Sequence, residues 1–196
     1  MEKTLDRELI AAAMRGDELA FSQVYWCYRD RVYNFAYRML AKRSVAEDVT
    51  HEAFLALIQH PERYRPERSS LLTYLCAIAR NHIFNYLRRW ENQMAEPIET
   101  LAEFAAPASS EQNPLTDLLR CELAAKVEAA IGALPPLLRE VVVLREYQGL
   151  SYEEMTMVIG ADMNVVKVRL HRARQALARQ LTAYLVVDGD HYHELR

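Results

Sequence analysis

The chain is poor in the residues that build metal sites, disulfides and tight turns. Its three cysteines, Cys27, Cys76 and Cys121, lie far apart and none belongs to a Cys-x-x-Cys pair. Neither a zinc ribbon nor a redox dithiol is indicated, and we expect no bound metal or cofactor. Only 5 of 196 residues are glycine, and alternating strand patterns are absent, which favours helices. The lack of a long apolar run or signal peptide predicts a cytoplasmic protein without membrane insertion.

Charge is unevenly distributed along the chain. The formal net charge of −3 would by itself argue against a nucleic-acid partner. Residues 96–117, however, contain five acidic residues and no Lys or Arg, whereas residues 1–95 and 118–186 are each weakly basic. This partition is compatible with DNA-binding surfaces on both sides of an acidic linker, and equally with an ordinary soluble protein.

Helical periodicity and punctuation by Gly and Pro predict an all-α chain. Asp17 can cap the second helix, and Ser44 with Glu47 has the spacing of a capping box that would open the third. Ser69 or Ser70 can cap the fourth helix. Pro97, Pro107 and Pro114 mark a linker. The predicted helices span 5–15, 17–41, 44–59, 70–92, 115–131 and 136–147, and a further helical pair follows.

Residues 150–174 predict a helix-turn-helix. Ser151 and Glu154 form a capping box, Gly160 ends the first helix, and Asp162 can cap the second. No acidic residue occurs between Asp162 and Asp188, so the second helix is basic and suits a DNA major groove. A plain surface helix with cations near its C-terminus is the alternative. The buried stripe is expected at Val166, Leu170, Ala173, Leu177 and Leu181.

A second basic surface is predicted on the helix over residues 72–92. Asn81, Asn85 and Arg88 share one face of it, and Arg80 and Arg89 flank them. The preceding loop, R-Y-R-P-E-R-S-S, combines cations with an aromatic ring. Cations can hold phosphates, an aromatic ring can stack on a base, and amides can read base edges, which suits single-stranded DNA. A solvated helix face and an ordinary surface loop remain the alternative.

Five segments resemble, in the correct order, the extracytoplasmic-function group of the sigma-70 family. Residues 20–25 with 31–40 resemble the start of region 2, and A-E-D-V-T-H-E-A-F-L-A-L-I resembles its polymerase-binding helix. T-Y-L-C-A-I-A-R-N-H-I-F-N-Y-L-R-R resembles the helix that melts and reads the −10 element. Residues 134–155 resemble the start of region 4, and V-K-V-R-L-H-R-A-R resembles its −35-reading helix.

The resemblance implies two helical domains joined by a flexible linker: a region 2 bundle over residues 1–94, a linker over 95–114, a region 4 helix-turn-helix over 115–186 and a polar tail over 187–196. It implies a non-enzymatic initiation factor whose partners are core RNA polymerase, promoter DNA and an anti-sigma factor. The chain departs from the family pattern at His51, at the D-M-N-V start of the recognition helix and at Val168. These departures bear on the promoter sequence rather than on the class of function.

Three sets of site residues follow from the resemblance and the local chemistry. The candidates for the −35 element are Ser151, Tyr152, Asn164, Lys167, Val168, Arg169, His171, Arg172 and Arg174. The candidates for the −10 element are Tyr64, Arg65, Arg68, Ser69, Ser70, Arg80, Asn81, Asn85, Arg88 and Arg89. The candidates for polymerase binding are Glu47, Asp48, His51, Glu52, Phe54 and Leu57, among which Phe54 and Leu57 could instead belong to the core.

Two rival functions account for parts of the sequence. A conventional DNA-binding regulator would explain residues 150–174 but not the face formed by Asn81, Asn85 and Arg88, and it predicts tight duplex binding without polymerase. An enzyme is disfavoured, because the only motif that begins like a metalloprotease, His51-Glu52, has Leu55 where the second His is required.

Overall fold

The computed structural model describes residues 2–93 and 114–191, and side chains within 7–92 and 122–182. Every regular element in these ranges is helical, in agreement with the all-α prediction. The α-helices are α1 (Glu2–Met14), α2 (Glu18–Leu40), α3 (Arg43–Gln59), α4 (Leu71–Gln93), α5 (Pro114–Gly132), α6 (Pro136–Val142), α7 (Tyr152–Ile159) and α8 (Met163–His191). A 3-10 turn (Pro61–Arg63) follows α3, and a π-helical turn (Val143–Tyr147) extends α6.

The first half of the chain is a bundle of α1 to α4 around a core centred on α2 and α4. Asp17 caps α2 as predicted, because its carboxylate accepts a hydrogen bond from the backbone N–H of Ala20 at 3.0 Å. Phe35 and Met39 of α2 pack with Leu75 and Ile83 of α4, and all four are fully buried. The Ser70 hydroxyl accepts from the N–H of Thr73 and so caps α4, as predicted.

The predicted capping box of α3 is wrong. The helix begins at Arg43, so Ser44 lies inside it, and the cap residue is Lys42, which makes no side-chain cap hydrogen bond. The cause lies in the preceding turn. Ala41 takes a left-handed conformation (φ 52°) that ends α2, and Lys42 is already extended, so the next helix starts without a spacer residue.

The second half packs α5 to α8 around Leu144, Met155 and Leu170, each at most 1 % exposed. The helix predicted over 136–147 is present, but its last turn is π-helical. α8 continues to His191, so part of the predicted polar tail is helical, whereas residues 192–196 lie outside the described range. The predicted linker, 95–114, also lies outside it except for Pro114.

The two halves pack directly on each other. Arg31 donates from Nη2 to the backbone oxygen of Gln148 at 2.6 Å, and Arg139 donates from Nη1 to the backbone oxygen of Met39 at 2.6 Å. Helix α4 lies against α7, and α2 lies against the π-helical turn. Across residues 2–93 and 114–191, no helix combines the length and apolar character needed to cross a bilayer.

Candidate nucleic-acid interface

The turn between α7 and α8 has the geometry that the sequence predicts. The N–H of Glu154 donates to the Ser151 hydroxyl at 3.2 Å, and the N–H of Ser151 donates back to the Glu154 carboxylate at 2.9 Å, which completes a capping box. Gly160 ends α7 in the left-handed region at φ 68°, where a side chain would be strained. α8 begins at Met163, directly after Asp162. Residues 151–174 therefore form a helix-turn-helix.

Helix α8 separates an apolar face from a cationic one. Val166, Leu170 and Ala173 are buried against the other helices, as the predicted stripe requires, whereas Leu177 and Leu181 are half-buried. The opposite face is open to solvent. Its exposed members among the predicted −35 residues are Asn164, Lys167, Val168, His171, Arg172 and Arg174.

Three of the predicted −35 residues are only partly exposed. Arg169 is half-buried rather than exposed. Ser151 uses its hydroxyl in the cap. The ring of Tyr152 lies under two cations, with Arg145 Cζ 5.1 Å and Lys167 Nζ 5.8 Å from its centroid. Ser151 and Tyr152 therefore shape the helix-turn-helix more than they present free groups.

Arg174 is exposed but already paired. Its Nη2 lies 2.7 Å from the Glu146 carboxylate, and this hydrogen bond raises the pKa of the Arg174 guanidinium. Because both partners are about half exposed, the pair is worth little in stability and can exchange for a phosphate.

Helix α4 exposes the predicted −10 face. Asn81, Asn85, Arg88 and Arg89 are all exposed. Arg88 donates to the side-chain oxygen of Asn85, which leaves the Asn85 amide N–H groups available to an acceptor. Arg80 differs from its neighbours, because it is half-buried and forms an ion pair with Glu140 of α6.

In the loop before α4, one predicted −10 residue, Tyr64, is buried. Tyr64 is only 7 % exposed and packs on Tyr74 with 5.4 Å between ring centroids, so the structure does not support it as a base-stacking side chain. Tyr74, which the sequence analysis did not single out, is half-buried instead and faces an open cleft of roughly 620 Å³. The other residues that line this cleft are Glu62, Arg63, Arg65, Arg68, Ser69 and Met157.

Two of the candidate polymerase-binding residues on α3 belong to the core, which was the alternative left open for them. Phe54 and Leu57 are 3 % and 4 % exposed, because they face α2, where Phe54 packs on Tyr25 at 4.8 Å between centroids. The apolar residues that α3 does expose are Leu55 and Ile58, at 39 % and 53 %. They share the outer face with the predicted polar residues Glu47, Asp48, His51 and Glu52, all of which are exposed.

Buried charge is concentrated where the two halves meet. Burial raises the pKa of the fully buried Glu140 carboxyl above its ordinary value, and Arg80 only partly opposes this shift. Burial lowers the pKa of Arg139 in the same region. Burial also tends to raise the pKa of Glu154, but hydrogen bonds from Ser151, Thr73 and Ser70 outweigh it, and the net shift is downward. Within 7–92 and 122–182, no three His, Cys, Asp or Glu side chains gather as metal ligands would.

Removal of the α7 cap has a predictable effect on stability. We expect Ser151→Ala to lower the free energy of unfolding by about 1 kcal/mol, because the N–H of Glu154 loses its acceptor. Ser44→Ala is the matched control: Ser44 is exposed and caps no helix, so its effect should stay within about 0.5 kcal/mol. Urea denaturation followed by circular dichroism measures both, and equal losses would contradict the capping role of Ser151.

Comparisons with known proteins agree with this geometry. A model of sigma-70 region 2 matches residues 24–92, and a model of sigma-70 region 4 matches residues 124–177. The chain is 32% identical over 181 residues to the ECF RNA polymerase sigma-E factor of Escherichia coli K12, covering 90% of this chain and 94% of that one. It is 31% identical over 157 residues to the ECF RNA polymerase sigma factor SigE of Mycolicibacterium smegmatis, covering 80% of this chain but only 60% of that longer relative.

A solved structure with the same fold is the sigma factor RpoE of Bartonella quintana, which was crystallised with the anti-sigma factor NepR. The TM-score is 0.66 at 23% identity, and the match covers 83% of this chain and 96% of that one. The two family matches coincide with the halves that carry the α4 and α8 surfaces. The chain therefore belongs to the extracytoplasmic-function group of the sigma-70 family, whose members direct promoter-specific transcription initiation.

Proposed function

We propose that this chain binds core RNA polymerase and reads promoter DNA at two places, with α8 at the −35 element and α4 with its preceding loop at the −10 element. The proposal divides the chain into region 2 (1–94), a linker (95–114), region 4 (115–186) and a tail (187–196). The observation that carries it is the two-faced character of α8. One face is buried in region 4, and the other exposes cations and an amide.

At the −35 element, the exposed face of α8 enters the major groove. Arg172 and Lys167 can donate to guanine, and Asn164 can pair with adenine. Val168 can contact a thymine methyl group, since it is 48 % exposed. Arg169, which is half-buried, and Arg174, which pairs with Glu146, are better suited to phosphates.

At the −10 element, α4 and the cleft beside it hold unpaired bases. Asn81 and Asn85 present amide groups for base edges, while Arg88 and Arg89 supply cations for the strand. Tyr74 replaces Tyr64 as the aromatic candidate of this cleft. Melting then proceeds by capture of flipped bases, whose unstacking costs a few kcal/mol that pocket contacts must offset. The chain needs no covalent chemistry for this task, so we propose no enzymatic activity.

Core polymerase docks on the outer face of α3. This face combines acidic side chains at Asp48 and Glu52 with exposed apolar groups at Leu55 and Ile58. A central apolar anchor surrounded by polar groups is the usual anatomy of a tight protein interface. Phe54 and Leu57 support this face from beneath.

Ile58→Asp should disrupt polymerase binding. If Ile58 is a central anchor, its replacement costs about 2 kcal/mol or more, which is roughly a thirtyfold loss of affinity. Leu123→Asp, at an exposed apolar position of α5, is the matched control and should leave affinity unchanged. Titration of labelled protein against core polymerase measures both. Equal losses of affinity in the two variants would contradict the proposal that core polymerase binds the outer face of α3.

Core polymerase should also be required for tight promoter binding by the α4 and α8 surfaces. Free protein is expected to bind promoter duplexes weakly, because its two readers are not held at the spacing of the two elements. Addition of core polymerase should produce tight, salt-dependent binding to the same fragments. Tight duplex binding without polymerase would instead favour the conventional regulator.

The remaining partners follow from this role. An anti-sigma factor is a proposed partner of this chain, on the pattern of the RpoE–NepR complex. Transcription of chromosomal DNA places the proposed activity in the bacterial cytoplasm.

A further inference from the structure

The exposed face of α8 has an apolar centre. Val168 is 48 % exposed and lies two residues from both Val166 and Leu170, which are buried. Because successive residues of an α-helix are about 100° apart, Val168 lies nearly opposite the buried face. Asn164 and Arg172 lie four residues before and after it, on the same exposed ridge. The middle of the surface that would enter the major groove is therefore a hydrocarbon side chain.

The cations of the same helix lie at the edges of this face. Lys167 and Arg174 lie on one side of it, and both interact with other side chains of region 4. The half-buried Arg169 lies on the other side. Cations at the edges of a docked helix are placed for the phosphates that border the groove, whereas side chains at its centre meet base edges. Val168 is therefore positioned for a base rather than for the DNA backbone.

A second valine extends the apolar centre. Val165 is 38 % exposed and precedes Val168 by three residues, so the two side chains are neighbours on the helix surface. A single exposed apolar residue is ordinary on a protein surface, but two adjacent ones within a polar, cationic face form a patch. Their Cβ atoms are roughly 5–6 Å apart, and successive bases rise by about 3.4 Å, so the patch spans one or two base pairs.

The apolar group that a major groove offers is the C5-methyl group of a pyrimidine. Thymine carries this group, whereas cytosine does not, and 5-methylcytosine carries it at the same ring position. Contact with a valine side chain removes the methyl group from water, which the hydrophobic effect favours. Because the chain departs from the family pattern at Val168, the resemblance by itself does not imply this contact.

We propose that Val165 and Val168 read the C5-methyl group of a pyrimidine in the −35 element, so that thymine binds more tightly than uracil, and 5-methylcytosine more tightly than cytosine. The inference rests on the proposed −35 role of α8 and names the group that the centre of its face selects. Burial of one methyl group corresponds to about a fourfold change in affinity. Binding to such a promoter therefore responds to methylation of a cytosine at this position.

The test uses the full chain with core polymerase, on a promoter whose −35 element has been mapped by run-off transcription. Deoxyuridine replaces each thymine of the element in turn, and 5-methylcytosine replaces each cytosine. Competition between the modified and unmodified fragments gives the ratio of affinities. At one or two positions, the fragment with the methyl group should bind about fourfold more tightly. In Val168→Ala this preference should disappear, because the side chain that contacts the methyl group is missing.

Three variants define the source of the preference. Val168→Ala should fold normally, because Val168 is exposed and alanine favours a helix, and circular dichroism checks this. Val165→Ala should also reduce the preference, at the same base pair or at the adjacent one. Leu137→Ala is the matched control: Leu137 is 44 % exposed on α6, and its truncation should leave the preference intact.

The outcomes separate this inference from the proposed function. A preference for the methyl group that persists in Val168→Ala would assign it to DNA shape and overturn the valine contact. Equal binding with and without the methyl group, at every pyrimidine of a functional −35 element, would also overturn it. Loss of the preference in Leu137→Ala as well would remove its link to α8. Transcription that depends on no −35 sequence would contradict the proposed function itself.

Discussion

Arg172→Ala should weaken transcription from a −35-dependent promoter by roughly 5- to 150-fold, the equivalent of about 1–3 kcal/mol for one base-reading contact. Arg172 is exposed on the cationic face of α8 and lies opposite the buried Leu170 and Ala173. Its removal therefore takes a donor from the groove without disturbing the core. Single-round transcription with saturating core polymerase measures the loss, and affinity for polymerase should be unchanged.

Arg179→Ala provides the comparison on the same helix. Arg179 is exposed as well, but it lies seven residues, or about 10 Å, further along α8. Recognition helices read bases with their N-terminal residues, so this change should reduce transcription only slightly. A loss of polymerase binding in Arg172→Ala, or equal losses of transcription in the two variants, would remove Arg172 from the −35 site.

Asn85→Ala should impair promoter opening by about tenfold or more, which corresponds to about 1.4 kcal/mol or more of lost base contact. The Asn85 side chain is exposed on α4 and is oriented by the hydrogen bond from Arg88. Permanganate footprinting of unpaired thymines reports the open fraction directly. On a template with a pre-melted bubble, the variant should regain most of its activity, since the unstacking step is already complete.

Asn34→Ala is the control for this second prediction. Asn34 is exposed on α2 and is not one of the predicted −10 residues, so its removal should leave opening intact. Failure of the bubble template to rescue Asn85→Ala would argue against a role in melting. It would then favour a role of Asn85 in reading duplex DNA.

Helix caps, the glycine stop and helical periodicity predicted most of the helix boundaries and buried faces. The caps at Asp17 and Ser151 and the stop at Gly160 depend on residues within a few positions of each other, and each was predicted correctly. For α4, Ser70 is the cap of the two candidates, Ser69 and Ser70. The stripe on α8 was also correct over its first three positions, because a 3.6-residue period decides which side of a helix is buried. The incorrect prediction was the cap at Ser44. It failed because Ala41 is left-handed, and sequence rules do not predict that conformation for a non-glycine residue.

Those local rules do not predict which helices pack on each other. On α3, periodicity alone does not say which apolar face meets α2, so a core role for Phe54 and Leu57 was left open beside the binding role, and the exposed Leu55 and Ile58 were missed. Tyr64 was predicted to stack on a DNA base because the local sequence does not show that its ring packs on Tyr74. The pair between Arg80 and Glu140 joins residues 60 positions apart, and no local pattern connects them. That contact is what leaves Arg80 half-buried while its neighbours on α4 are exposed.

Run-off transcription with core polymerase on a genomic fragment library tests the central claim most directly. The account predicts start sites that arise only when this chain is added, that share a −35 and a −10 motif, and that weaken in Arg172→Ala and Asn85→Ala. No new start sites, together with tight duplex binding by the free protein, would contradict the account and assign the helix-turn-helix to a conventional regulator.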